Sequence, residues 1–127
     1  MLDTARLVAF VPSTDLDRSE QFYGGVLGLT LVERSPYALV VRSGETVLRV
    51  TQVGELRPQP FTVLGFAVAD VRRSLAELAT RGVLPEQFGG LDQDAHGVWT
   101  APGGDLIAWF KDPDGNLIGV LQFDDPV

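Results

Sequence analysis

This chain of 127 residues has 17 Asp and Glu carboxylates, but the other side chains of acid–base and metal chemistry are few. There is no Cys, which removes thiolate metal sites, Cys nucleophiles and disulfides. The one His, His96, lies in the loop Leu91–Gly97 with Asp92 and Asp94. One imidazole and two flexible carboxylates could hold an ion weakly, but no spacing here demands one. A lone loop His is most often a solvated side chain, and its sharper reading is a hydrogen-bonding group in a ligand site. No Ser-His-Asp set, phosphate loop or zinc motif is written in the chain. The run Pro102-Gly103-Gly104 is too short for a phosphate loop and sits between two strands. Binding chemistry is better supplied. Trp99, Trp109 and Phe10 offer flat apolar surfaces, and Arg49 offers a fixed donor fork for an oxyanion or carbonyl. Each has a bland alternative, which is packing for the aromatics and a protein ion pair for Arg49. Tyr23 shares its uncertain role with Phe22: core packing is the ordinary reading of both.

Composition sets the outer limits. The length suits one domain able to bury roughly two-thirds of its unfolded surface. With 45% hydrophobic and 21% charged residues the chain should fold rather than stay disordered. A net charge of −7 argues against nucleic acid and anionic membrane as partners. It permits a cationic ligand without implying one. The start, MLDTARLVAFV, lacks a basic leader, and no run approaches the ~20 apolar residues of a membrane span. A cytoplasmic protein is the expectation.

The elements that must position these residues come in two matching series. Arg6–Val11 reads as a strand. Thr14-Asp-Leu-Asp17 fits a helix start in which the Thr hydroxyl and the Asp carboxylate take free N–H groups. The helix should run from about Leu16 to Tyr23, with Leu16, Ser19, Phe22 and Tyr23 on one face, and stop at Gly24, Gly25 and Gly28. Leu29–Glu33, Ala38–Arg42 and Thr46–Val53 follow as strands, with a turn at Ser43-Gly44-Glu45. After the polar connector Gly54–Pro60 the order repeats. Phe61–Val68 is a strand and Asp70–Arg81 a helix, capped by Asp70 and ended by Gly82. Val83–Phe88 leads towards the next strand through the loop Gly89–Gly97. Val98–Ala101 and Leu106–Lys111 are strands, and a closing strand ends the chain. TDLDRSEQF resembles VADVRRSLAEL, with Asp15 matching Asp70. A unit of strand, helix and three strands cannot cover its own sheet, so two should pair, curling their sheets around a cleft with the helices outside.

The stretch AWFKDPDGNLIGVLQF, Ala108–Phe123, reads as a hairpin, in which Pro113 presets φ and Gly115 accepts a positive φ. This run, the internal repeat and FYGGVLGL at Phe22–Leu29 together resemble the vicinal oxygen chelate superfamily of glyoxalase, bleomycin-resistance and extradiol-dioxygenase-like proteins. The resemblance spans nearly the whole chain. It implies an α+β fold of two βαβββ modules, about 1–55 and 60–127, forming paired curved mixed sheets in one domain. It also implies a divalent metal in the cleft, held by His, Gln or Glu from the first and last strands of each module. The matching positions here are Val8, Arg49, Val63 and Gly119. Val and Gly offer no donor, and Arg stays protonated and would repel a cation.

Strand parity supports that register. With Val8 and Arg49 towards the cleft, Ala9, Val11, Leu48, Val50, Leu64, Phe66, Val68, Ile118 and Val120 face the helices. A slip by one residue would bury Arg49 in the helix-packed layer. The expected ligand-binding set is then Phe10, Arg49, Trp99, Trp109, Leu117, Gly119 and His96, with Pro12 and Leu121 beside them. There is no catalytic residue, no cofactor and no metal in this reading. Arg49 would be a partly desolvated cation in need of a partner, either a protein carboxylate or a ligand oxyanion. The expected function is metal-free binding of a small, aromatic or partly apolar molecule, in a homodimer of the bleomycin-resistance kind. The alternatives are a metal-dependent lyase or dioxygenase with displaced ligands, and a non-catalytic association module.

Overall fold

The computed structural model describes residues 1–125. The chain forms two compact units, Met1–Pro58 and a second from Gln59 on. In the first, β1 (Val8–Ser13) is followed by α1 (Leu16–Ser19), a π-helical segment Glu20–Val26, and strands β2 (Thr30–Arg34), β3 (Ala38–Ser43) and β4 (Thr46–Gln52). The sheet order is β1-β4-β3-β2. β1 runs parallel to β4, and the other neighbours are antiparallel.

One face of this sheet carries Val11, Leu39, Val41, Leu48 and Val50, all almost fully buried. Leu16, Phe22 and Tyr23 from the helical segment are buried too, and the last two rings meet edge to face with centroids 5.2 Å apart. The alternation read from the sequence holds: Phe10 and Arg49 stand opposite each other and are exposed, while Val11 and Val50, the next pair along, are buried.

Two local expectations need correction. The first helix does not stop at Gly24 and Gly25. It widens into π geometry and passes through both, with Leu27 N–H donating to the Phe22 carbonyl. It ends at Gly28, whose φ of 74° a residue with a Cβ adopts at a cost. The helix cap is also shifted by one residue. Asp15, not Thr14, accepts the Arg18 N–H at 3.1 Å, and Asp17 instead pairs with Arg34. An extended φ of −151° at Asp15 turns its carboxylate back over the first turn, which Thr14 is one residue too early to do.

The second unit repeats the plan: β5 (Thr62–Ala67), α2 (Val71–Thr80), β6 (Trp99–Thr100), β7 (Leu106–Lys111) and β8 (Leu117–Gln122), in the order β5-β8-β7-β6. Each sheet thus has the same sequence of neighbours: first strand, last, third, second. Asp70 caps α2 through Arg73 N–H at 3.1 Å, as Asp15 caps α1. Val71 and Leu75 of α2 are buried, as are Ile118, Val120, Ala108 and Phe110 on the strands.

The predicted strand Val98–Ala101 shrinks to two residues. Beyond its short pairing with β7, the edge of β7 is taken by the segment before it, where Glu86 N–H donates to the Trp109 carbonyl at 2.8 Å. The closing hairpin forms as read. Its loop is held by the Asp112 carboxylate, which accepts from the backbone N–H of Asp114 and Asn116 and from Asn116 Nδ2.

Candidate functional site

In the second unit, β8 presents Leu117, Gly119 and Leu121 on the face turned away from α2. Trp109 stands opposite Gly119 on β7, and Gly65 opposite it on β5. A β-bulge at Val63 displaces the simple alternation of β5, so that Thr62 pairs with Leu117 while Leu64 pairs with Ile118. That bulge brings Thr62 over Gly119. Trp109 Nε1–H donates to Thr62 Oγ1 at 2.9 Å, which fixes the indole plane.

Trp109 is the centre of an aromatic group. Its ring lies 6.4 Å from that of Trp99 at a tilt of 32°, and 5.5 Å from that of Phe88 edge to face. Phe88 is placed by Gln93. The Gln93 side chain accepts from Phe88 N–H at 2.7 Å and donates to the carbonyls of Glu86 and Gly97. Leu117 is buried beside this group.

In the first unit the face turned away from the helix carries Val8, Phe10, Val47 and Arg49. Phe10 is 62% exposed and Val8 48%. Arg49 is exposed and makes no hydrogen bond or ion pair to any described residue. The expectation of a partly desolvated cation is therefore corrected: Arg49 stands at the solvent side of its sheet with its donors open.

His96 is exposed, and its backbone N–H donates to Asp94 Oδ1. The same oxygen accepts from Val98 N–H, and Oδ2 pairs with Arg72 at 2.7 Å. These interactions, with the Val98 N–H foremost and Arg72 next, hold the Asp94 carboxyl at about 2. A carboxylate with both oxygens engaged in this way is a loop brace. Among the described residues no group of three His, Asp or Glu side chains is arranged to hold a metal ion.

The residues at the superfamily's four metal positions do not fit such an ion. Val8 and Val63 have no donor, Arg49 is cationic, and at Gly119 the space itself is taken. A Cβ there would lie 3.2 Å from the Thr62 methyl, 3.6 Å from Leu121 and 3.8 Å from Trp109. A side chain there would crowd the Thr62 methyl, which would have to give way by a few tenths of an ångström.

Of the residues singled out from the sequence, the structure brings Trp99, Trp109, Leu117 and Gly119 together in the second unit. It places Phe10 and Arg49 on one face of the first and His96 on an exposed loop. The sequence reading missed Thr62, Phe88 and Gln93. Thr62 is hidden by the bulge, which no residue of β5 signals, and the other two lie in a segment without periodicity.

Comparison with curated protein sequences returns no match. Among solved structures the chain resembles the bleomycin resistance determinant encoded on the transposon Tn5, with a TM-score of 0.75 at 22% identity, over 96% of this chain and 100% of that one. Lactoylglutathione lyase from Agrobacterium tumefaciens gives 0.69 at 21% identity, over 96% of each chain. A glyoxalase/bleomycin resistance protein/dioxygenase from Alicyclobacillus acidocaldarius gives 0.69 at 19%, over 96% and 93%. These likenesses establish the shared fold. Residues 6–120 match the family model of the Glyoxalase/Bleomycin resistance protein/Dioxygenase superfamily, and the chain belongs to that superfamily.

Proposed function

We propose that this chain is a metal-free binding protein for a small, partly aromatic molecule, which it holds without transforming. The observation that carries the reading is the state of position 119. Where a metal-binding superfamily member would place a carboxylate, this chain has a glycine, and the vacated side-chain space is filled by a hydrogen-bonded Thr62–Trp109 pair. A flat, oriented indole with a second Trp beside it is a stacking surface, and it carries no acid, base or nucleophile. On the first unit, Phe10 and Arg49 form a separate surface of an exposed ring beside a donor fork. We further propose that the chain acts as a homodimer, as the exposed Leu7, Leu31, Val32, Tyr37 and Phe61 give it apolar surface to cover.

The test is a tryptophan fluorescence titration against a library of small aromatic compounds. The chain has two Trp residues, and both belong to the Trp99–Trp109 pair, so the emission reports on this group alone. Saturable quenching or a blue shift by some compound, with protein stripped by chelator behaving the same, is the expected result. Stoichiometric Zn, Ni, Fe or Mn in protein purified without added metal, together with chelator-sensitive turnover, would replace this reading with that of a metal-dependent enzyme.

A further inference from the structure

We infer that Arg42 and Arg49 on the first unit's sheet face receive the anionic group, a carboxylate or a phosphate, of a small molecule. This rests on the small-molecule reading above and names the chemical class of the ligand. The chain is acidic, with a net charge of −7, so most of its cations have carboxylates to meet. Arg34 pairs with Asp17 and Glu20, Arg72 with Asp94, Arg73 with Glu77 and Lys111 with Glu86. Arg18, Arg57 and Arg81 are partnered as well. Arg6, Arg42 and Arg49 are different: all three are exposed, and none makes a hydrogen bond or ion pair to any described residue, but only Arg42 and Arg49 lie on the sheet.

The register puts these two arginines together. On the antiparallel pair β3 and β4, Arg42 stands opposite Val47 and Arg49 opposite Val40. Opposed residues share a face, and so do residues two apart on one strand, so both arginines project from the face turned away from the helix. They are diagonal neighbours, roughly 7–8 Å apart at the backbone, which two long side chains bridge easily. Phe10 is opposite Arg49 on β1 and Val8 opposite Val47, so an exposed ring and an aliphatic patch adjoin the donors.

One carboxylate shares the face. Glu33 stands opposite Val40 on the edge strand β2, diagonal to Arg42, and makes no ion pair with it. Two guanidinium forks against one carboxylate leave this face cationic on an anionic chain. Such a face selects a ligand anion with an apolar or aromatic body: the anion takes the planar donors and the body lies on Phe10. The overall charge by itself would have suggested the reverse, a cationic ligand.

The experiment compares 2-naphthoate with its neutral isostere 2-naphthamide, by calorimetry in phosphate-free buffer, on the full chain. The parent should bind the carboxylate at least about tenfold more tightly than the amide, with the difference shrinking as salt is raised. R42Q/R49Q should lose that preference. R42K/R49K, which keeps the charge without the planar fork, should retain part of it. E33Q should increase it. Equal binding of the two compounds by the parent, or a preference that survives in R42Q/R49Q, overturns the inference and leaves small-molecule binding standing. If neither compound binds at millimolar concentration, the inference falls, and the library titration of the Trp pair decides the small-molecule reading separately. Unchanged thermal melts of the arginine variants guard against unfolding as the cause.

Discussion

At the scale of single residues, the site is defined as much by a missing side chain as by those present. Gly119 leaves room for the Thr62 methyl and the Trp109 indole, so restoring a carboxylate there meets an occupied space. Gly119→Glu should lower the melting temperature, because a Cβ 3.2 Å from the Thr62 methyl crowds the residue that accepts the Trp109 Nε1–H. Zn or Ni added to the variant should give no stabilising shift in its melting curve, since Val8 and Val63 still lack donors. Arg49→Met should leave stability nearly unchanged, as no carboxylate loses a partner. Affinity for an anionic ligand found in the screen should fall by roughly 1.5–3 kcal/mol, the usual range for hydrogen bonds to a charged group. A large drop in melting temperature with unaltered affinity would end the ligand role of Arg49. Asp94 makes a separate prediction. Its folded carboxyl is depressed from 3.8 to about 2 by the Val98 N–H, Arg72 and the His96 N–H. A depressed carboxyl stabilises the fold above its unfolded value, and that contribution is lost as the pH falls from near 3.8 through about 2. Asp94→Asn should therefore melt lower than the parent at neutral pH, and the gap should close in that acid window. A gap independent of pH would show that the carboxylate charge is not what braces the loop.

The elements were legible to the degree that each carried its own signal. Alternating Val11, Leu48 and Val50 marked the helix side of the first sheet, and Asp15 with Asp70 marked equivalent helix starts in the two units. Both aspartates cap by the same bond to the N–H three residues on. Asp15→Ala and Asp70→Ala should each cost about 1 kcal/mol in chemical denaturation, and the double variant should show the sum, since the caps share no partner. What stayed hidden was set by contacts that sequence periodicity does not encode. The helix running through Gly24 and Gly25 depends on π-type bonds that bury Phe22 and Tyr23 together. The bulge at Val63 depends on how β5 meets β8, and it decides that Thr62 reaches Trp109. Segment Val83–Phe88 could be expected to approach the sheet, but its attachment combines the Glu86 N–H bond to the Trp109 carbonyl with Gln93, whose three bonds gather Glu86, Phe88 and Gly97. Gln93→Ala removes all three. It should lower the melting temperature and shift the Trp emission to the red, because Phe88 would no longer cover Trp109. An unchanged emission spectrum would mean that Phe88 is held by other means.

For the whole molecule the pressing question is what covers its apolar surface. Leu7 is 86% exposed, Tyr37 76%, Phe61 57%, and Leu31 and Val32 50% each, in a chain already 45% hydrophobic. Scattered exposed leucines are ordinary, but large side chains exposed to this extent on a small domain favour association. β2 is the edge of its sheet, all five of its residues are exposed, and Val32 sits at a bulge between Leu31 and Glu33. The bulge and the adjacent charged residues Glu33 and Arg34 hinder open-ended strand pairing, which favours a closed assembly over a fibre. The expected product is a homodimer. Sedimentation equilibrium at micromolar concentration should return twice the 13.7 kDa of one chain. Leu31→Lys with Val32→Lys should raise the dissociation constant if β2 lies in the contact, while Phe10→Lys should weaken aromatic ligand binding and leave the mass unaltered. That division of effects separates the surface used for assembly from the surface used for the ligand. A monomer mass across the whole concentration range would refute the dimer and leave the ligand site of each chain to be tested by itself.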